Sequence, residues 1–407
     1  MNHLYRLFTA ALISLSASGL LSFAHAQSAE WDTPHAHVQT LADENLKGLV
    51  SLVGSKDGKF IYGAALGSKK IVTLSRDPET GQVEYLDSIG DFLGAVCLDI
   101  SQDQKWVVLI SCQSKLVTLY ARDAETGKLS EVSRQQQGVD DVKGLEFPIA
   151  VTISPDSRFV YVTNAGGAGS MTAFSIEEDK LKFLQQHEGV DNCVKGARLL
   201  DVDPSGEYLF VACTQANCLT VFDRDVKEGH LRILHYMPDD EEGRNLLAGV
   251  HGVICSKDGR HLYTCGGRWG GDHGISVFEI RHGKTLELVQ ELKGEEELKE
   301  FKGGNFIDIS PDGKYVFATC YESGNVLCLE RDAKSGRLKY LHDLQVGGES
   351  NLDKAADVFV SSDNRFVYVA SEGKENQLYV FERILGEEET PEESAGKEAA
   401  DKEADKE

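Results

Sequence analysis

The sequence lacks the short motifs that mark most soluble enzymes and metalloproteins. It contains no Gly-x-Ser-x-Gly elbow, Walker loop or His-Glu-x-x-His helix, which removes the usual signatures of serine hydrolases, nucleotide hydrolases and zinc proteases. It also contains no Cys-x-x-Cys or Cys-x-x-Cys-His, which excludes the common zinc-ribbon and c-type haem sites. We therefore expect no metal, haem or nucleotide cofactor.

Positive charge is scarce. The chain has 42 Lys and Arg against 66 Asp and Glu, a net charge of −24. Nucleic acids and anionic membranes need clustered positive charge, so neither is an expected partner. Part of the acidity lies in residues 386–407, which hold ten acidic residues against three lysines. This composition predicts a disordered, solubilising tail.

Long apolar runs are also few. One runs from Leu7 to Phe23, follows Arg6 and precedes Ala24-His25-Ala26, a small-x-small cleavage site. We interpret residues 1–26 as a signal peptide cleaved after Ala26, which predicts a periplasmic or secreted protein. No second run approaches the ~20 residues that span a bilayer, so membrane insertion is not expected.

The rest of the sequence is dominated by a repeat. A turn of the Ser-Pro-Asp-Gly type, followed by a Tyr/Phe/Val-rich strand, occurs seven times at intervals of 46 to 54 residues. The copies begin at Ser55, Ser101, Ser154, Asp203, Ser256, Ser310 and Ser361. A period near fifty that carries only strand patterns is typical of a β-propeller with one four-stranded sheet per repeat.

The third repeat shows the four strands A to D most clearly. They are predicted at residues 149–154, 159–164, 171–176 and 181–186, and each is rich in β-branched or aromatic residues. A second motif, of the type Arg-Asp-x-x-Thr-Gly-x-Leu, marks the C–D turn at residues 76–83, 122–129, 224–231 and 331–338. Its Asp and Gly fit a type I turn closed by a left-handed glycine. We predict an all-β, seven-bladed propeller of four-stranded antiparallel blades.

The last repeat lacks a fourth strand before the acidic tail begins. A strand-like segment, Ala36–Leu41, lies ahead of the first repeat without a partner of its own. We expect it to complete the last blade, which closes the ring and removes two open sheet edges. The propeller should then occupy residues 33–385 as a monomer.

The Phe-Val-Tyr-Val-Thr-Asn strand at 159–164 and the two turn motifs together resemble the lactonase-type seven-bladed propellers. That group includes the propeller class of 6-phosphogluconolactonase, the carboxy-cis,cis-muconate cyclases and many exported YVTN-repeat proteins. The resemblance covers residues ~33–385 and implies lactone chemistry. In the family a histidine recurs five residues before the Ser-Pro-Asp-Gly turn, and His251 occupies that place here.

Strand order indicates which end of the propeller carries function. The short repetitive A–B and C–D turns share one face, so the variable B–C and D–A connections share the other, where binding residues usually lie. The longest connections are residues 238–249, 266–274 and 293–304. The starts of the A strands should line the central channel beneath that face at Val50, Val96, Ile149, Arg198, His251, Asn305 and Ala356.

A lactonase needs an acid or base at the ring oxygen, donors for the developing oxyanion and arginine for a substrate anion. His251 is the candidate acid/base, and Arg198 and Arg268 are the candidate anion-binding catalytic residues. Candidate substrate-binding residues are Asn305, Arg244, Glu322, Trp269 and His273. Glu322 and His273 would be reserve proton carriers, and Trp269 a stacking platform. The competing interpretation of His251 is a hydrogen-bonded structural residue at a strand start.

Three functions remain open at this point. The first is hydrolysis or cycloisomerisation of a small anionic lactone, and the second is a non-catalytic propeller that binds a protein or glycan. The third, prompted by nine cysteines, is a subunit of a redox or metal-handling complex in the periplasm. Cys213 and Cys218 flank a short turn and form a candidate disulfide.

Two further clusters are interpreted as structural. Asp99, Asp201 and Asp308 share one strand-A position and should be buried and hydrogen-bonded to loop backbone. Pro34-His35-Ala36-His37 resembles a metal clip but lies in the predicted closing strand, so no metal is assigned to it.

Overall fold

The computed structural model describes residues 35–384, apart from 190–192, 240–246, 269, 282–284, 295–296, 299 and 374. It describes the backbone of residues 272 and 273 but not their side chains. The expected signal peptide, the acidic tail and positions 33, 34 and 385 of the expected propeller lie outside this part. The described chain is built from β-strands and one short 3-10 helix, Glu44–Leu46, as predicted for an all-β protein.

The strands of the first four repeats follow the predicted order. They are preceded by β1, His35–Ala42. The first and second blades are β2 Leu49–Gly54, β3 Phe60–Ala65, β4 Lys70–Arg76, β5 Val83–Gly90, β6 Ala95–Ile100, β7 Trp106–Ser111, β8 Leu116–Arg122 and β9 Leu129–Gln136. The third and fourth blades are β10 Pro148–Ile153, β11 Phe159–Asn164, β12 Ser170–Glu177, β13 Lys180–Glu188, β14 Ala197–Val202, β15 Tyr208–Cys213, β16 Cys218–Arg224 and β17 Leu231–Pro238.

The last three repeats differ only in how the seventh ends. The fifth and sixth blades are β18 Val250–Cys255, β19 His261–Gly267, β20 Gly270–Arg281, β21 Thr285–Lys293, β22 Gly304–Ile309, β23 Tyr315–Cys320, β24 Val326–Arg331 and β25 Leu338–Asp343. The seventh repeat supplies β26 Ala355–Val360, β27 Phe366–Ser371 and β28 Gln377–Arg383.

Each blade is a four-stranded antiparallel sheet whose strands pair in chain order. One parallel pair, Gly267 with Gly304, additionally joins the fifth and sixth sheets. The first strands of all seven blades line a common central cavity of about 210 Å³, so they surround one axis. This arrangement is the predicted seven-bladed propeller.

The seventh blade takes its fourth strand from the start of the propeller. β1 pairs antiparallel with β28, and the ladder runs from His35 opposite Arg383 to Ala42 opposite Gln377. Val38 and Leu41 of β1 pack against an apolar cluster formed by the first and seventh blades. The ladder satisfies the backbone groups of what would otherwise be an open edge.

The Ser and Asp of each A–B turn explain why that motif recurs. In the third blade the Ser154 hydroxyl donates to Asp156 (2.5 Å) and accepts from the Phe159 N–H (3.0 Å), which closes the turn onto the next strand. The same pair of bonds forms at Ser55, Ser101, Ser256, Ser310 and Ser361.

An arginine at the end of a C strand ties its blade to the preceding one. Arg224 donates to the Tyr161 hydroxyl (2.7 Å) and to Asp156 (2.9 Å) of the third blade. It also donates to the Gly206 carbonyl of its own blade (2.7 Å). The Tyr161 hydroxyl in turn donates to the Gly229 carbonyl of the fourth blade (3.0 Å). We call this set of bonds the inter-blade arginine contact, and it unites the two turn motifs of the sequence.

The glycine of the C–D turn is required by the same contact. Gly229 has a φ of +78°, a conformation that L residues rarely adopt, and an added Cβ would overlap the ring of Phe159 in the neighbouring blade. A side chain there would therefore separate the two blades.

The inter-blade arginine contact occurs at four of the seven interfaces. The other three pairs are Arg76 with Tyr368, Arg122 with Tyr62 and Arg331 with Tyr263. A looser version joins the sixth and seventh blades, where Arg383 contacts Asp312 (3.4 Å) and the Tyr315 hydroxyl (3.2 Å). At the two remaining interfaces apolar residues hold the arginine and tyrosine positions: Ile176 faces the blade of Val108, and Ile280 the blade of Phe210.

Carboxylates on the A strands bridge the interfaces that lack the full contact. Each accepts from a backbone N–H of the next blade, and the pairs are Asp99 with Ile153 (2.8 Å), Asp201 with Cys255 (2.8 Å) and Asp308 with Val360 (3.2 Å). Asp357 of the seventh blade accepts in the same way from the Leu52 N–H of the first blade (2.7 Å). The interface between these two blades therefore has both a carboxylate bond and the inter-blade arginine contact. We call these bonds carboxylate bridges. The three aspartates are thus bound to backbone as expected, although the partners lie in strands rather than loops.

We predict that Arg224→Ala lowers the free energy of unfolding by about 2–4 kcal/mol, because it leaves Tyr161, Gly206 and Asp156 without a buried cation. Urea unfolding at constant m-value would measure the change. Arg232→Ala is the control, since the Arg232 side chain is 72% exposed in its ion pair with Asp223 and should contribute about 0–1 kcal/mol. Equal losses in the two variants would contradict the structural role of the contact.

The carboxylate bridges predict a pH dependence of stability. Burial raises the pKa of Asp99 and Asp201 to about 6 from 3.8, so the folded state holds their protons more tightly than the unfolded state does. The contribution of these two groups to the free energy of unfolding is fully present below pH 3.8 and is lost as pH rises through 6. Relative to the Asp99→Asn/Asp201→Asn variant, the wild type should lose on the order of 2–3 kcal/mol per carboxyl group between pH 4 and 7. If the urea unfolding midpoints of the two proteins changed equally with pH across that range, the prediction would be wrong.

Candidate functional site

A cavity of about 150 Å³ lies in the mouth of the central channel, at the end where the B–C and D–A connections meet. Apolar residues, Val50, Val96 and Ile149, line one side of it. The opposite side carries polar and charged residues, namely Arg198, His251, Arg268, Asn305 and Glu372. The volume suits a small molecule with one polar edge.

A bulge in every A strand directs these side chains towards the axis. In all seven blades the ladder between strands A and B shifts register around the second residue of strand A, as at Ala197/Leu200 and Val250/Gly252. Bulges re-aim side chains and are frequent next to binding sites. Arg198, His251 and Asn305 are each the second residue of their strand.

Ala356, the seventh aligned position, contributes its backbone instead of a side chain. Its carbonyl oxygen accepts a hydrogen bond of 2.6 Å from Asn305 Nδ2. This bond fixes the orientation of the Asn305 side-chain amide, so that its oxygen, Oδ1, faces Arg268.

His251 is held in one tautomer. Its Nδ1 lies 2.8 Å from the backbone carbonyl oxygen of Asn305. Because a carbonyl oxygen only accepts, Nδ1 carries the proton and Nε2 holds the free lone pair. Burial, followed by the charges of Arg268 and Arg198, lowers the pKa of His251 to about 3. The ring is therefore neutral at physiological pH.

Arg268 is fixed on three sides. Nη1 donates to Asn305 Oδ1 (2.6 Å), and Nη2 forms an ion pair with Glu372 (3.2 Å). Its guanidinium carbon lies 3.8 Å from the centroid of the Tyr321 ring, within the range of a cation–π contact. The flanking Gly267 (φ +106°) allows the B–C connection to place it over the mouth.

Arg198 separates the mouth from a second cavity. It lines both the 150 Å³ cavity and a neighbouring one of about 520 Å³ that Gln215, Asn217 and several glycines also line. Burial, followed by the charge of Arg268, lowers the pKa of Arg198. Arg198 and Arg268 both line the smaller cavity, and Glu372 is the one carboxylate among its described residues. The cavity is therefore suited to an anion.

The structure gathers some of the predicted site residues and leaves others apart. Arg198, His251, Arg268 and Asn305 share the cavity, whereas Glu322 is exposed and does not line it. Arg244 and Trp269 lie outside the described residues, and only the backbone of His273 is described.

Glu372 and Tyr321, which hold Arg268 in place at the mouth, were not predicted from the sequence. Each is the sixth residue after the start of its B strand, the position that Leu66 holds in the first blade. Alignment at the ends of the B strands, in addition to the starts of the A strands, would have found them.

The candidate disulfide is not formed. Cys213 and Cys218 are direct partners across β15 and β16, yet none of the nine buried cysteines is in a disulfide.

The geometry defines a closed seven-bladed propeller with a cationic, histidine-containing mouth. The chain belongs to the family described as "Lactonase, 7-bladed beta-propeller", whose model matches residues 29–143, 136–236 and 232–352. This agrees with the resemblance carried by the repeat motifs.

Individual relatives are distant. The chain is 26% identical to a 6-phosphogluconolactonase of Klebsiella pneumoniae over 202 residues, 48% of this chain and 57% of that enzyme, and so spans little more than half of its length. The periplasmic gluconolactonase of Pseudomonas aeruginosa has a TM-score of 0.60 at 18% identity, covering 74% of this chain and 86% of that one. Hydrazine synthase of Kuenenia stuttgartiensis reaches 0.64 at 14% identity, with 85% and 98% covered. Similarity at these identities shows a shared fold alone.

Within the described residues, no helix has the length and apolar character to cross a membrane.

We predict that removing the charge of Arg268 raises the pKa of His251. In Arg268→Met the larger of the two arginine charge effects on His251 is lost, so the imidazolium form becomes less unfavourable. NMR of histidine-labelled protein, followed from pH 3 to 7, would measure the change. Arg232→Ala, which alters a distant exposed arginine, should leave the titration unchanged. An unaltered His251 pKa in Arg268→Met would show that the charge of Arg268 does not act on the imidazole.

Proposed function

We propose that the protein is an exported lactonase that opens, or in reverse forms, the ring of a small anionic lactone in the mouth cavity. One observation carries the proposal: a neutral histidine whose Nδ1 is bound to a backbone carbonyl lines a 150 Å³ cavity together with two arginines. Such a cavity combines an anion-binding edge with a proton acceptor and is sized for one small ring.

In the proposed reaction, Arg198 and Arg268 bind the substrate anion and hold the lactone carbonyl near His251. His251 Nε2 takes a proton from water as the water oxygen bonds to the carbonyl carbon. The guanidinium groups stabilise the oxyanion that forms. The ring C–O bond then breaks, and the ring oxygen receives the proton from His251, giving a hydroxy acid. Cyclisation runs through the same steps in reverse.

The bound anion would also activate the base. In the free protein the arginine charges oppose protonation of His251. A substrate carboxylate between the guanidinium groups offsets those charges, so the imidazole becomes more basic when substrate is present. The acidic limb of kcat should accordingly lie at higher pH than that of kcat/KM.

The substrate class follows from the family together with the predicted signal peptide. A 6-phosphogluconolactonase and a periplasmic gluconolactonase are both among the similar proteins. Phosphorylated sugar intermediates are cytoplasmic, so we propose a non-phosphorylated sugar lactone or an aromatic-derived lactone for an exported protein. The protein would act as a monomer in the periplasm or outside the cell, without a cofactor in the reaction.

A panel of lactones assayed by pH-stat tests the proposal. His251→Ala and Arg198→Ala should each lower kcat/KM by about 10²–10⁴-fold, the usual contribution of a positioned proton carrier or charge. His230→Ala is the control, because His230 is exposed on a C–D turn at the opposite face. Activity that survives His251→Ala would place the chemistry elsewhere. A wild-type protein inert towards every lactone would favour the non-catalytic propeller that binds a protein or glycan.

A further inference from the structure

A second cluster of chemically capable side chains lies far from the mouth, where β1 meets the sixth blade. His35 of β1, Cys328 of β24 and His342 of β25 each offer one ligand atom, and these atoms lie within 4.8 Å of one another. The shortest separation is 3.4 Å, between His35 Nδ1 and His342 Nε2. Two imidazoles and a thiol form a donor set of the kind that zinc and copper ions prefer.

Fold topology brings the three together. Cys328 and His342 are direct partners across β24 and β25, so their side chains emerge side by side on one face of the sixth blade. His35 is the first residue of the closing strand and lies edge-on against Phe317 of the same blade, with ring centroids 5.4 Å apart. His37, the other histidine of the sequence clip, instead contacts Thr40 (2.9 Å) and is not part of the cluster.

The hydrogen bonds of His342 suit a metal ligand. Its Nδ1 lies 3.1 Å from the Asp343 backbone carbonyl, which can only accept, so Nδ1 carries the proton and Nε2 points its lone pair into the cluster. Metal-bound histidines usually donate their second N–H to a carbonyl or carboxylate in this way. His342 is thus already in the required tautomer, whereas His35 would have to shift its proton from Nδ1 to Nε2.

The spacing also approaches that of a metal site. Bonds of about 2.0–2.3 Å at tetrahedral angles place neighbouring ligand atoms about 3.3–3.6 Å apart. The nitrogen–nitrogen distance already falls in this range, and the thiol, which lies within 4.8 Å of both nitrogens, needs an approach of at most about 1.5 Å.

We propose that His35, Cys328 and His342 bind a thiophilic transition-metal ion, with Zn²⁺ as the expected ion and an exchangeable fourth ligand. The Cys328 thiol must ionise to bind the ion, because the thiolate is the form that binds a metal. Binding must then release the thiol proton, and affinity should increase with pH. Arg383, the nearest cation, opposes the ion, but its charge is partly offset by Asp312 at 3.4 Å.

The ion would connect two parts of the ring that are otherwise joined by non-covalent contacts. His35 belongs to the seventh sheet through β1, while the other two ligands belong to the sixth blade. A bound ion therefore fastens the closing strand to the neighbouring blade and should stabilise the closed propeller.

Cobalt binding to the full-length, tag-free chain tests the site. After treatment with a chelator, addition of Co²⁺ should produce a thiolate-to-cobalt charge-transfer band with a stoichiometry of one, and Zn²⁺ should displace it and raise the Tm. Cys328→Ser should abolish the band. His342→Gln should weaken Co²⁺ binding by more than the ~10–100-fold that loss of an outer-shell partner causes. His37→Ala, a change in the same strand, should leave both readouts unaltered.

Circular dichroism of each metal-free variant keeps a folding defect apart from a binding defect. If Cys328→Ser fails to fold, His342→Gln and the stoichiometry of the wild type still decide the question. The proposal is wrong if the wild type gives no charge-transfer band, or if the band persists in folded Cys328→Ser. It is equally wrong if Zn²⁺ raises the Tm of wild type and His342→Gln alike.

Discussion

A buried guanidinium group between two blades is the interaction on which this ring depends. In a propeller each repeat touches only its two neighbours, so the ring is as stable as its interfaces. Here the Arg224 side chain satisfies a tyrosine hydroxyl, a turn carboxylate and a backbone carbonyl at once, and the tyrosine completes the link back to the C–D turn. The recurring turn residues are thus the two halves of one contact rather than independent turn formers.

A rigid ring makes the polar mouth possible. Holding two guanidinium groups beside each other in a largely buried cavity is unfavourable unless the surrounding structure fixes both. The bulged starts of the A strands support Arg198 and His251, because each strand is secured at its other end by a carboxylate bridge, whereas Arg268 is held by Asn305, Glu372 and Tyr321. Asn305 links the parts, since its carbonyl binds His251 and its amide binds Arg268. Preorganisation of this kind is what electrostatic catalysis requires.

Much of this arrangement is predictable from the sequence, and the limits have a physical origin. Turn motifs recur because the backbone demands them, so strand order, blade number and the aligned positions of Arg198, His251 and Asn305 can be read from their spacing. Glu372 and Tyr321 share one aligned position after the B strand, but the residue type at that position differs from blade to blade, so the repeat gives their place and not their chemistry. Glu322 illustrates the same limit: one residue beyond Tyr321, its side chain turns to solvent. The proximity of His35 to Cys328 and His342 depends on which neighbouring blade the closing strand contacts, and the repeat pattern of the sequence does not predict that contact.

The distribution of inter-blade contacts has a consequence for the ancestry of the ring. Tyr161 faces an arginine in the next blade, whereas Phe210 faces Ile280, so the interfaces from the second to the sixth blade alternate between the two kinds. Loss of the third blade alone would place Val108 opposite Arg224 and leave that guanidinium group without its tyrosine and carboxylate partners. Loss of the third and fourth blades together would place Val108 opposite Ile280. Within this stretch, a deletion or duplication preserves matching residues on the two sides of each interface only if it involves an even number of adjacent blades. The first blade breaks the alternation, because Arg76 and Arg122 make the full contact at both of its interfaces.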